Sequence, residues 1–272
     1  MSFRERAKTQ LQSMPRRLRR RLSSQRVERL DFELESAVGY TIAGTAWKPA
    51  GARSAVVLTP GTNDPGSVFE GWSQPVNALE IASRGHVAVH FDPAGRGQSW
   101  GDEDYGGPEH QDDLRAVLAH IRPQVDRMGV LSISLGLAMA AGALTEDLGV
   151  DWLLDWEGPC DREIICAGGK IMVPALGHSL DDDVYWHPRE AVRHVGRLKC
   201  GYVRVQSVRD HAQPGELRHA MRMIEAAAAG ELPFFHLNEH DQGVVPTTPD
   251  WYPPGRSQAN RALLNWLERL TK

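Results

Sequence analysis

Apolar positions recur along the chain in two rhythms. Residues Val27–Glu35 and 40–47 alternate apolar with polar, and the turn-prone Ala37-Val38-Gly39 joins them, which predicts an antiparallel hairpin at a sheet edge. Residues 54–58 (Ser-Ala-Val-Val-Leu) and 87–92 are instead nearly continuous apolar runs, the pattern of strands covered on both faces. Further runs precede Ser134 (Val130, Leu131, Ile133) and span 150–156, 202–208 and 234–237. Helical segments are expected between them at 74–84, 109–121, 135–148, 214–229 and 257–270. Strands alternating with helices of this length imply a mostly parallel sheet, here of eight strands, with helices on both faces. From Gly158 to about Val195 the alternation breaks down in a stretch rich in Gly, Pro and Asp. That is too long for an ordinary connection and reads as a short lid insertion.

Ahead of the hairpin, residues 1–26 form a basic arm with Leu11, Met14, Leu18 and Leu22 at helical spacing. Residues 1–29 hold ten basic and two acidic side chains, a balance of +8 in a chain whose net charge is -4. Arg16, Arg17, Arg19, Arg20 and Arg21 can meet an anionic surface. The plainer expectation is an amphipathic helix lying on its own domain or on a second subunit, giving a homo-oligomer through the arm. The remaining residues, 27–272, are expected to form one domain. With 272 residues, 41% of them hydrophobic and 24% charged, the chain suits one large α/β domain plus a lid. It contains no apolar run of about 18 residues, so stable membrane insertion is not expected. The arm lacks the apolar core of a secretory signal. Three cysteines (Cys160, Cys166, Cys200) are few and odd in number, which suits a reducing compartment. A cytoplasmic protein is the expectation, with pairing of Cys160 and Cys166 left open.

The chemistry centres on residues 129–142, Gly-Val-Leu-Ser-Ile-Ser-Leu-Gly-Leu-Ala-Met-Ala-Ala-Gly. A buried strand, one serine and a small-residue helix make the layout of a nucleophile elbow, usually G-x-S-x-G and here S-x-S-x-G. Ligands of such a sheet bind beyond the carboxyl ends of its strands. Ser134 follows one strand, Asp210 follows 202–208 and His240 follows 234–237. A serine attacks a carbonyl when a histidine removes its proton and a carboxylate orients that histidine.

Two other stretches belong with these. Asp92-Pro93-Ala94-Gly95-Arg96-Gly97-Gln98-Ser99 fits a D-x-x-G-x-G-x-S loop, and Ser207-Val208-Arg209-Asp210-His211-Ala212-Gln213-Pro214 sets an aspartate just before a helix-starting proline. Together with the order Ser134, Asp210, His240, they make the chain resemble the α/β-hydrolase superfamily over about residues 30–270. The resemblance implies a serine hydrolase acting on carboxylic esters through an acyl-enzyme, without metal or organic cofactor. It also implies an oxyanion hole from the backbone amides of Leu135 and Thr62, the latter after Pro60-Gly61. Thioesterase, acyltransferase, amidase or peptidase and carbon–carbon hydrolase activities can use the same triad. A non-catalytic binding protein on this fold is the alternative from another class.

The pattern departs from the family at the histidine, whose context is Asn238-Glu239-His240-Asp241-Gln242-Gly243 rather than Gly-His-Gly. His236 and His211 are rivals for its role, and Glu157, after the sixth strand, is a rival for the acid. His178, Asp181, Asp182, Asp183 and His187 cluster in the lid, but their spacing matches no metal motif and a solvated loop is expected. No G-x-x-x-x-G-K-[ST] is present, and nucleic acid is not an expected partner.

Overall fold

The computed structural model describes residues 27–71, 74–167, 178–207, 210, 218–238 and 256–271. The expected N-terminal arm lies outside the described residues. The eight strands form one sheet. β1 (Val27–Glu35) and β2 (Thr41–Pro49) make the antiparallel hairpin, and β2 pairs antiparallel with β4 (Val87–Phe91). All later pairings are parallel: β3 (Ser54–Thr59) with β4, then β5 (Arg127–Ile133), β6 (Trp152–Trp156), β7 (Gly201–Val205) and β8 (Phe235–Leu237) in turn. The spatial order is β1-β2-β4-β3-β5-β6-β7-β8.

The nearly continuous apolar runs are explained by what covers the sheet. Successive side chains of a strand point to opposite faces. Val57, Val89, Val130 and Leu153 enter one core, under α2 (Pro108–Ile121), α3 (Gly136–Ala143) and α6 (Arg218–Ala228). Their neighbours Val56, Ala88, Leu131 and Leu154 enter the other, under α1 (Ala78–Ala82) and α7 (Arg256–Leu270). Both faces are covered, so both parities of these strands are mainly apolar, and the buried polar exceptions such as Asp155 and Arg204 are paired with one another.

Two helices are shorter than the apolar pattern predicts. The segment expected at 74–84 becomes α-helical only at Ala78, because the Asn77 side chain accepts from Leu79 N–H at 2.8 Å and caps it there. The segment expected at 135–148 stops at Ala143, where the Thr145 hydroxyl donates to the Gly142 carbonyl at 2.8 Å.

Between β6 and β7 the described chain forms α4 (Arg162–Ala167), α5 (Asp183–Trp186) and three 3-10 turns at His187–Arg189, Ala191–Arg193 and Val195–Arg197. Ion pairs hold these pieces together. Arg162 and Arg193 bind Glu190, and against the cost of burial they pull its carboxyl down to about 2. In the acidic cluster, His178 pairs with Asp182 at 2.8 Å and His187 with Asp183 at 3.0 Å.

Candidate active site

β5 ends at Ile133, and Ser134 takes φ = 54°, in the left-handed region that a residue with a Cβ enters only at a cost. Its N–H donates to the Trp156 carbonyl of β6 at 3.2 Å and its carbonyl accepts from Leu137 N–H at 3.0 Å. The strand is thus turned directly into α3. Gly136 makes the turn sterically feasible: a Cβ there would lie 2.6 Å from the Thr59 carbonyl oxygen and 2.7 Å from that of Pro60. The strained serine therefore stands at the carboxyl edge of the sheet, partly exposed, at the amino end of a helix.

The chain after β3 passes alongside. A Cβ on Gly61 would lie 3.3 Å from Ser134 Cβ, so only a glycine brings this backbone in without pushing the serine. Thr62 follows Gly61, and Leu135 follows Ser134. Among the described residues neither the Thr62 nor the Leu135 backbone N–H is taken by a protein acceptor. Above them a small apolar cluster gathers Leu135, Ala138, Ile165 and Trp186, with Tyr105, Cys166 and Tyr185 against it. Residues of the β6–β7 segment thus pack directly on the start of α3.

Asp210 is buried beyond β7. Its Oδ2 accepts from His219 Nε2 at 2.9 Å and from the Gln206 side-chain amide. Burial alone would raise this carboxyl. The His219 hydrogen bond and charge, the Gln206 amide and nearby Arg204 overcome it and hold the group well below the usual carboxylate range. Arg204 is fully buried on β7, pairs with Asp155 on β6, and donates from Nε to Gln206 Oε1 at 3.0 Å. A connected chain Asp155–Arg204–Gln206–Asp210–His219 results.

Glu157, the rival acid, has φ = 51° just after β6. One of its carboxylate oxygens, Oε1, accepts from the backbone N–H of Ser207 at 3.0 Å and from its hydroxyl. His236, a rival histidine, stacks on the Trp266 ring at 5.0 Å from within β8. His240 and His211 lie outside the described residues. The described chain reaches Asn238, whose Oδ1 accepts from Gln206 N–H at 3.0 Å while its carbonyl accepts from Trp266 Nε1 at 2.6 Å. Asn238 is therefore pinned to the residue that binds Asp210.

His219 carries no signal in the sequence that marks it as part of the site. It lies on the buried face of α6 and follows no strand, so a search for reactive residues at strand ends does not meet it. The D-x-x-G-x-G-x-S loop is a structural staple: Asp92 Oδ1 accepts from Gly66 N–H and Oδ2 from Gln98 N–H, each at 2.7 Å.

Sheet order, elbow and helix placement are those of the α/β-hydrolase fold. No family model and no curated protein matches the chain. Among solved structures it is similar to the esterase Pf2001 of Pyrococcus furiosus, at 17% identity over 95% of this chain and 93% of that one, with a TM-score of 0.65. A puromycin-hydrolyzing peptidase of Mycobacterium tuberculosis matches at 14% identity, covering 90% and 38% of the two chains, with a TM-score of 0.66. The acylaminoacyl peptidase of Pyrococcus horikoshii matches at 18% identity, covering 90% and 42%, with a TM-score of 0.62.

Proposed function

We propose that the protein is a serine hydrolase that cleaves carboxylic esters through an acyl-enzyme intermediate. The observation that carries this reading is Ser134 at φ = 54° between β5 and α3, with Gly61 packed against it. Glu157 after β6 takes a similar φ, so it is the combination of that turn with a partly exposed serine, Gly136 at its second following position and Gly61 packed against it that supports a nucleophile displayed to a substrate.

Ser134 Oγ attacks the ester carbonyl carbon as His240 takes its proton. Asp210 orients the imidazole and faces the imidazolium as it forms. The carbonyl oxygen becomes an oxyanion held by the Leu135 and Thr62 amides. His240 then returns the proton to the departing alcohol, and a water activated by the same histidine releases the acid and regenerates the serine. The resident residues supply every proton transfer, and the scheme uses no cofactor. Asp210, held as an anion by His219 and Gln206 on Oδ2, suits the orienting role; Glu157, bonded to Ser207 through Oε1, is the rival acid.

The esterase similar over nearly the full chain supports ester cleavage. Peptidases match over most of this chain but less than half of their own length, which gives amide cleavage as the second reading. The segment between β6 and β7 acts as a lid through Ile165 and Trp186, and the basic arm is a docking element for a second subunit. A cytoplasmic location is supported by the three thiols, all unpaired in the structure. No helix among the described residues is long and apolar enough to cross a membrane.

The test is hydrolysis of p-nitrophenyl esters and labelling by a fluorophosphonate probe, in the parent and in Ser134→Ala. Loss of activity by at least about a thousandfold, with loss of labelling, is expected. Equal rates in the two proteins would remove Ser134 from the mechanism.

A further inference from the structure

Arg96 lies in the loop after β4, is almost wholly buried, and reaches across to the loop after β3. Its Nη1 donates to the Gly61 carbonyl oxygen at 2.6 Å. The other two nitrogens form a two-pronged pair with Glu103, Nε to Oε2 at 2.6 Å and Nη2 to Oε1 at 2.7 Å. Against the pull of burial, Arg96 keeps that carboxyl below its ordinary range, so the clamp is ionised. The guanidinium is planar and its donors are fixed in a fork; with two prongs on Glu103, Nη1 is held against the turn after β3, where it bonds Gly61 at the shorter distance and also reaches the Asp64 carbonyl at 3.4 Å.

The bonded carbonyl matters because of the peptide it belongs to. The Gly61 C=O and the Thr62 N–H are two ends of one planar amide group, pointing in opposite directions across a trans bond. A cation hydrogen-bonded to the oxygen draws electron density away from the nitrogen and makes its N–H a stronger donor. It also fixes the plane of the group, and hence where that N–H points. Gly61, on the near side of the same amide, is the residue packed against Ser134.

Resting on the serine hydrolase reading above, we infer that Arg96, braced by Glu103, is a positioning residue for the oxyanion hole: it orients and polarises the Gly61–Thr62 peptide whose N–H receives the developing negative charge. Arg96 does not touch the substrate. It acts through a donor already assigned, and it strengthens that donor where charge accumulates, which is in the transition state and not in the bound ester. A staple that merely held two loops together would affect folding or substrate binding instead.

The test uses the full chain with Arg96→Met, Arg96→Lys and Glu103→Gln. For each, kcat and KM on a p-nitrophenyl ester are compared with the inhibition constant of an aryl trifluoromethyl ketone. The serine adds to this ketone to give a tetrahedral oxyanion. In Arg96→Met, kcat is expected to fall roughly tenfold to a hundredfold. KM should stay within about twofold, and ketone affinity should weaken by the same factor as kcat/KM. Arg96→Lys keeps the charge without the fork and should recover part of the loss. Glu103→Gln should show the same signature in smaller size, and both remain informative if Arg96→Met does not fold. Folded variants with parental kcat and ketone affinity, or a rise in KM alone, would overturn the inference. A parent chain inert to esters and to the phosphonate probe would instead remove the hydrolase reading on which it rests.

Discussion

At the scale of single residues, the elbow was legible because its requirements are local. A strand, a serine and a glycine two residues later need only neighbouring atoms, and the pattern around Ser134 states them in one short stretch. The residues that tune the site were not legible, because their partners are distant in sequence. Arg96 reads as one residue of a loop motif, and only the fold carries its guanidinium to Gly61, 35 positions earlier. Gly136 sits at the boundary between the two cases: its identity is part of the motif, while the reason for it is the pair of carbonyls at the end of β3. Gly136→Ala is expected to destabilise the protein by about 1–3 kcal/mol, since backbone oxygens cannot rotate away as a side chain would. It should also lower the rate of serine labelling by moving Ser134. Urea unfolding and fluorophosphonate labelling kinetics check both parts, and a variant with parental stability would show that the turn has room that the 2.6 Å approach denies.

At the scale of elements, the strands were read well and the helix boundaries less so. An apolar run buried on two faces has no competing reading once its length is short, whereas caps such as Asn77 act through single hydrogen bonds that periodicity does not register. Helix α2 shows what an element contributes beyond packing. His110, fully buried on it, accepts from Gly106 N–H at Nδ1, 3.1 Å away, and sits 3.0 Å from the Ala94 carbonyl through Nε2, so the neutral ring ties down both ends of the loop that carries Arg96. Burial, and then the charge of Arg96, lower its pKa to about 4. A depressed folded value means that the unfolded chain takes up the proton first. The stability from neutral His110 is therefore complete above the unfolded value of about 6.5 and is lost as pH falls toward 4, a term of about 3 kcal/mol. Asp113 works in the opposite sense: burial raises it to about 6, so it binds a proton in the folded state as pH falls and offsets part of that loss. Urea midpoints between pH 7 and pH 4.5 should fall in the parent and fall less in His110→Gln, whose side-chain oxygen can still accept from Gly106. Parallel slopes in the two proteins would exclude His110 as the source.

At the scale of the whole molecule, the sheet core and the candidate site are joined by buried charge. Asp155 on β6 accepts from Arg204 on β7 and from the Tyr202 hydroxyl at 2.7 Å, and its other oxygen accepts from Gly158 N–H at 2.9 Å. From Arg204 the chain runs through Gln206 to Asp210 and His219. None of this could be read from the apolar pattern, which treats a polar residue inside a buried strand as noise; Arg204 interrupts an otherwise apolar run and looks like an error in it. Physically it is a compensated charge, because Arg204 faces Asp155, whose oxygens also accept from Tyr202 and Gly158. Removing one member then costs more than removing two. Arg204→Met leaves Asp155 buried without its counter-ion, and a loss of about 3–5 kcal/mol is expected. The double variant Asp155→Leu with Arg204→Met removes both charges and should recover a substantial share of that stability. Activity need not follow, because Gln206 loses the partner that orients its amide toward Asp210. The double variant should therefore stand close to the parent in urea and well below it in kcat. Losses that simply added in the double variant would mean that the two charges are not coupled, and a recovery of kcat along with stability would mean that the network supports the sheet without setting the acid.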